Sequence, residues 1–447
     1  MHEETMQPSD IHQVIATAGH APELQEVRLG EVCRVQTGPF GSQLHASDYR
    51  AHGTPIITVE HLGDNRIIHE NVPLVSDDDL QRLTRYQLHA GDIVFSRVGA
   101  IDRRALVTNL EHGWLFSGRC LRVRPRQDTV HPGFLAHYLG LPQVKNWILN
   151  HSVGSTMACL NTDIPLRLPL TLPLLALQLR IAAVLDTVDE EIAKTEAVIA
   201  KLKQVRAGLL HDLLTRGLDE HGQLRDPIAH PEQFQDSPLG CIPRVWQCKT
   251  LEEAADWYSG GTPSRSQVAW WQGDVPILTP KDMKVFELSD TIEHVTEEAA
   301  QMGSKVMPAS TAFIVVRGMI LAHTFPVCLS TRPLAFNQDI KAVCGRGELS
   351  TRFLAHWFAA NSALFLRKAT EATHGTKKLD SDELHRIRIA IPSPEEQQAI
   401  VKWIETIDAN IAVESDKHAK LGLVKSGLMS DLLTGRVRVP EGIAVAS

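Results

Sequence analysis

The chain has 447 residues, 43% of them hydrophobic, with a formal net charge of −8 and seven scattered cysteines. This length predicts two to three domains, each able to bury a core, and the composition is that of a soluble globular protein. The acidic balance at first argues against a nucleic-acid partner. The excess acid lies in the N-terminal tail, the long helices and the link between them, however, and the intervening blocks are close to neutral.

Residues 1–26, opening MHEETMQPSDIHQ, read as a polar tail without the apolar run of an export signal. Residues 27–172 predict a mixed α/β block with β-like runs at 55–59, 92–95 and 120–124, and a helix over 132–149. Residues 173–217 predict a long helix stopped at Arg216-Gly217. Residues 218–243, rich in Asp, His and Pro, read as a connector. A second mixed block over 244–391 follows, then a second long helix over 392–436 and a tail over 437–447. The most apolar stretch, 168–177, is short and carries Pro169 and Pro173, which excludes a membrane-spanning helix there. Cysteines without a CxxC pair and without an export signal suggest free thiols in a reducing cytoplasm.

An internal repeat decides the architecture. Residues 178–215 recur without a gap as 397–434, at a constant offset of 219 (397 − 178), and Asp212-Leu213-Leu214-Thr215 returns unchanged as Asp431-Leu432-Leu433-Thr434. Apolar residues step by three and four through Ile181, Val184, Val188, Ile192, Ile199, Leu202, Val205, Leu209 and Leu213. The second copy keeps the seam through Ile400, Trp403, Ile407, Ile411, Leu421, Val424, Leu428 and Leu432. Such a seam marks one face of a long helix, and at 1.5 Å per residue the repeat is about 57 Å long. No single small core buries that length, so the simplest partner of each stripe is the other copy. The blocks repeat more loosely: 54–58 is echoed at 275–279, Ser96-Arg97-Val98-Gly99 by Val316-Arg317-Gly318, and Phe134-Leu-Ala-His-Tyr138 by Phe353-Leu-Ala-His-Trp357.

Catalytic motifs are sparse. There is no G-x-x-x-x-G-K-[ST] phosphate loop and no HExxH, and no metal site is expected. The Pro-Pro-aromatic motif of amino-methyltransferases is missing too. Asp382-Glu383-Leu384-His385 and Asp77-Asp78-Asp79 read as acidic helix starts rather than a helicase box or a nuclease cluster. Two glycine loops stand near the block starts, with Gly38, Gly41 and Ser42 in the first and Gly260, Gly261 and Thr262 in the second. Backbone amides there are candidates to approach a DNA phosphate, and an ordinary tight turn explains them equally well. Further DNA-binding candidates are Arg97, Arg103 and Arg104 in the first block and Lys281, Lys284, Arg317, Lys377 and Lys378 in the second. Arg97 and Arg317 rank first because they occupy equivalent places after a β-like run. Each of these cations has a plain reading as a solvated surface charge.

With these features together, the chain resembles the specificity subunit of type I restriction-modification systems over nearly everything after residue 26. The resemblance rests on the block openings Val27-Arg-Leu-Gly-Glu-Val32 and Thr250-Leu-Glu-Glu-Ala254, the two glycine loops, the block endings before Gln178 and Gln397, and the helix endings Gly208–Thr215 and Gly427–Thr434. It implies tandem mixed α/β target recognition domains, each reading half of a split, asymmetric double-stranded DNA site. It also implies that the long helices pair as an antiparallel coiled coil, set the gap and dock two methyltransferase (modification) subunits. The pairing and docking residues would be Ile181, Val188, Ile192, Leu202, Leu209, Leu213, Ile400, Ile407, Ile411, Leu421, Leu428 and Leu432. The chain itself would hold no cofactor and no catalytic residue. S-adenosylmethionine, ATP and Mg would belong to partners, among them motor-nuclease (restriction) subunits. Two rival readings are a diverged stand-alone nuclease or DNA methyltransferase, and a coiled-coil adaptor that binds only proteins.

Overall fold

The structure is a computed structural model that describes residues 24–39, 43–99, 101, 103–152, 159–371 and 376–440. It divides into two compact units, residues 1–197 with 415–447, and residues 198–414. Each unit therefore takes one block together with part of both long helices, so the division cuts through the helices rather than between block and helix. Among the described residues no helix is long and apolar enough to cross a membrane.

In the first unit the polar strand Gln25–Arg28 pairs antiparallel with Pro169–Leu172 and closes the two ends of the block. Between them lies a five-stranded sheet in the order Cys33–Thr37, Cys120–Pro125, Ile93–Ser96, Arg104–Leu106, Asp64–Asn65, with the last pair parallel. The central strand Ile93–Ser96 is buried throughout. Successive side chains leave a strand on opposite faces, so Ile93 and Phe95 enter one core with Leu121, Val123 and Phe134, while Val94 enters another with Ile56, Ala105 and Phe116. The helix expected over 132–149 is two, Pro132–Tyr138 and Pro142–His151. Pro142 lacks the N–H needed to continue the first and holds Leu141 extended.

The second unit repeats this plan. Gln247–Thr250 pairs antiparallel with Arg388–Ile391 to close the block. Its five-stranded sheet runs Ala255–Ser259, Ile340–Gly345, Ala312–Val315, Val327–Ser330, Glu287–Leu288, again with a parallel last pair. The acidic runs start helices as expected: Ser76 caps Asp77–Arg82, and Asp380 caps Ser381–Arg386. The stretch read as a connector is folded, with Leu218 bridging Leu224 and a hairpin of Phe234–Ser237 against Gly240–Pro243.

The long helices are Leu175–Thr215 and Pro394–Leu432, of 41 and 39 residues. In the first unit Lys425 reaches Asp189 at 2.7 Å and His418 reaches Glu196 at 3.2 Å. In the second, Arg206 clasps Asp408, with Nη2 donating at 2.9 Å. Each pair of residue numbers adds to 614 (425 + 189, 418 + 196, 206 + 408), which is the signature of antiparallel pairing. The ends of the seam are buried at Ile181, Val188, Leu213, Ile400, Leu428 and Leu432, where the block cores close over them. Ile192, Leu202, Leu209, Ile407, Ile411 and Leu421 are half-buried. Val205 and Trp403 leave the seam: they are 44% and 50% exposed.

A glutamine at the start of each long helix fastens it to its block. Gln178 accepts from His131 N–H at 2.8 Å and donates to Pro173 O at 2.9 Å. Gln397 does the same with Ser350 N–H and Pro392 O, both at 2.8 Å. Both glutamines are fully buried, so Gln178→Leu would strand the His131 N–H and the Pro173 carbonyl without water. The expected cost is about 1–3 kcal/mol, read as a lower melting temperature for the first unit's transition.

A histidine–carboxylate contact on each helix follows the same offset. His137 Nε2 lies 2.7 Å from Asp186 and His356 Nε2 lies 3.3 Å from Glu405. Burial pushes the His356 imidazole below the ordinary histidine range, against the opposing pull of Glu405. A histidine with a depressed folded pKa takes up its proton more readily when unfolded, so its contribution is intact above about pH 6.5 and is lost as pH falls through the folded value. The second unit is therefore expected to lose stability between pH 7 and pH 5. Melting curves of His356→Leu across that range should lack this part of the slope.

Candidate nucleic-acid interface

In the second unit the backbone turns outward after strand Ala312–Val315. Val316 and Arg317 N–H groups donate to Asp339 O at 2.8 and 3.2 Å, Leu379 N–H donates to Val316 O at 2.8 Å, and Gly318 N–H donates to Lys377 O at 2.9 Å. Gly318 has φ +142°, a conformation that suits only glycine. These bonds set Arg317 directly opposite Lys378 in an antiparallel bridge. Arg317 is exposed and Lys378 half-buried. Lys377 projects to the other side of its strand and meets Glu371 at 3.5 Å.

A second exposed feature is the turn after strand Val275–Leu278. Asp282 accepts from Thr279 N–H at 2.8 Å and from Ile292 N–H at 2.9 Å, which fixes the turn and leaves Lys281 and Lys284 in solvent. Nearby, Glu293 holds both ends of the Arg265 guanidinium at 2.6 and 2.7 Å. That guanidinium lies 3.4 Å from the centre of the Trp271 ring, and the Lys281 charge also acts on Glu293. Thr262 is exposed and donates to Gln338 at 2.6 Å.

The first unit treats its cations differently. Arg97 is half-buried and donates to the carbonyls of Leu160 and Gly118 at 3.1 and 3.3 Å. Arg104 is 3% exposed, its Nε bonded to Ala136 O at 2.6 Å, so it serves the interior and not a DNA surface. Arg103 is exposed. Gly38 and Gly260 are explained by packing: a Cβ at either would run into the carbonyl of Ser117 or Phe336. Gly261 is pressed in the same way against Gly303 O. Gly41 and Ser42 lie outside the described residues.

The presumed equivalence of Arg97 and Arg317 is off by one. Leu160 N–H bonds Arg97 O as Leu379 N–H bonds Val316 O, and Val98 bridges Cys159 as Arg317 bridges Lys378. All four residues of the first set lie 219 positions before those of the second. A one-residue slip in extended chain exchanges the two faces, which is why Arg97 turns inward and Arg317 outward.

The type I restriction modification DNA specificity domain matches the chain twice, over residues 22–204 and 243–422. The chain belongs to the type I restriction-modification specificity family. As a specificity subunit it is a DNA-recognition component with two target recognition domains. It is 35% identical over 177 residues to the EcoR124I/EcoR124II specificity subunit of Escherichia coli, a match covering 39% of this chain and 44% of that relative. It is 24% identical over 398 residues to the putative MjaX specificity subunit of Methanocaldococcus jannaschii, covering 87% and 88% of the two chains. The crystal structure of a type I system S subunit from M. genitalium shares the fold, with a TM-score of 0.56 at 12% identity over 93% of this chain and 97% of that one. A chain from a structural study of type I system assembly and conformational transition gives 0.54 at 17%, over 93% and 99%.

For this specificity subunit, sequence reasoning passed over Arg265. The interleaving of a cation with Trp270 and Trp271 was the available signal, but only the fold brings Glu293 to the guanidinium.

Proposed function

We propose that each unit reads one half of a split double-stranded DNA site and that the paired helices fix the gap between the halves. The observation that carries this reading is the duplication itself: the same closing strand pair, the same five-stranded order and the same glutamine fastening occur twice in one chain. In this reading the differing outer turns, with Arg103 in the first unit and Lys281, Lys284, Arg317 and Lys378 in the second, face DNA, and Gly38, Gly260, Gly261 and Thr262 shape the turns beside them. The half-buried middle of the helix pair, with Ile192, Leu202, Leu209, Ile407, Ile411 and Leu421 along its seam, is where two modification subunits dock. Those partners supply adenine-N6 methylation with S-adenosylmethionine. Restriction subunits add ATP- and Mg-dependent translocation and cleavage.

The test is co-expression with a cognate modification subunit, followed by single-molecule mapping of N6-methyladenine in the host genome. A two-part motif with a fixed gap is expected, and replacing residues 27–172 with the block of another family member should change one half only. A change in both halves, or a stable complex that leaves no motif, would reject the reading.

A further inference from the structure

Cross-strand neighbours at a β-bridge share a face and their side chains meet, so two like charges directly opposite one another repel. The second unit nevertheless sets Arg317 opposite Lys378, and among the described residues no carboxylate comes within ion-pair distance of either. The nearby carboxylates are engaged elsewhere: Asp380, two residues after Lys378, accepts from the Asp382 and Glu383 N–H groups as a helix cap, Asp339 is bonded through Asn337, and Glu371 lies against Lys377 on the opposite face. The backbone fixes the pair from both sides, through Gly318 N–H to Lys377 O and Leu379 N–H to Val316 O. At the same register the first unit places Val98 opposite Cys159, a neutral pair, so the fold does not require cations here. Two cations whose backbones are held opposite one another, with no carboxylate among the described residues to offset them, favour an anion from outside.

We infer that Arg317 and Lys378 together grip the DNA phosphate backbone at the second half-site, and that the equivalent bridge of the first unit, Val98 with Cys159, makes no such grip. The inference rests on the reading of both units as DNA readers. It assigns the pair to holding and positioning the duplex, not to choosing bases. Two phosphate contacts contribute about 0.9 each to the slope of log affinity against log salt.

The experiment uses the full chain assembled with its modification subunit, on duplexes carrying the mapped site. Arg317→Val with Lys378→Ala should lower the salt slope by about two and weaken binding at least tenfold at moderate salt, with the methylated motif unchanged. The reverse graft, Val98→Arg with Cys159→Lys, should raise the slope by about two. An unchanged slope in both variants overturns the grip, as does a change in the bases read at the second half-site. Arg317→Lys keeps the charge and should keep most of the slope, so loss of binding in that variant also counts against a phosphate contact. If the unaltered complex shows no site-specific binding, the reading of the units as DNA readers fails first and takes the grip with it.

Discussion

Seven residues inserted into each long helix, between 197 and 198 and between 416 and 417, should lengthen the gap between the two recognised half-sites by up to about three base pairs. A heptad adds about 10.5 Å of helix and turns the far end by only about 20°, and one base pair spans about 3.4 Å along each strand. Antiparallel pairing makes the double insertion benign. The pairs Asp189–Lys425 and Glu196–His418 would then add to 628, and so would Arg206–Asp408, so all three stay in step. An insertion in the first helix alone gives 621 in one unit and 628 in the other, a seven-residue conflict that should destabilise the chain and abolish methylation. Mapping N6-methyladenine with both variants reads the result, and an unchanged gap in the double insertion rules out the helices as the ruler.

The second large effect concerns Glu396, in the first turn of the second long helix. Its carboxylate accepts from Leu218 N–H at 2.8 Å, from Arg225 at 2.6 and 3.1 Å and from Trp246 Nε1 at 3.0 Å. The Arg225 and Glu396 side chains are only 10% and 8% exposed. Glu396→Ala leaves a buried guanidinium without its counter-charge, a change that costs about 3–5 kcal/mol. For a unit of this size that lowers the melting temperature by on the order of 10 °C. Replacing both partners, with Arg225→Met and Glu396→Leu, should recover most of the loss, because the cost lies in the orphaned charge more than in the missing pair. Calorimetry resolves it, with the first unit's transition as the internal reference. A double variant no better than the single one would show that the carboxylate matters through Trp246 and Leu218 instead.

Much of this fold was legible in the sequence because the long helices repeat without gaps and their apolar period is strong. The strands at the block ends were harder. Gln25–Arg28 is polar and largely exposed, and what makes it a strand is its partner some 140 residues later. Gln178 and Gln397 stood out as matching letters, but nothing in a single sequence shows that each spans two backbone groups of its own block. The candidate site suffered most from the one-residue slip between Arg97 and Arg317, since short loops shift the count and an extended chain converts one residue into the opposite face. Arg104 was misjudged for a related reason: an arginine is usually solvated, and the carbonyl of Ala136 that draws it inward belongs to a helix distant in sequence.

The helix ion pairs leave an ambiguity that the chain has to resolve. The first helix carries Asp189 and Arg206, the second Asp408 and Lys425, so each owns both poles of the contact it makes. Charge alone would let either helix take a twin from a neighbouring molecule as readily as its own sibling. The Glu396 lock breaks that tie, because position 177 of the first helix, its counterpart, is leucine. Two first helices brought together would bury Arg225 against a methyl group, so a newly made chain has reason to wait for its own second half.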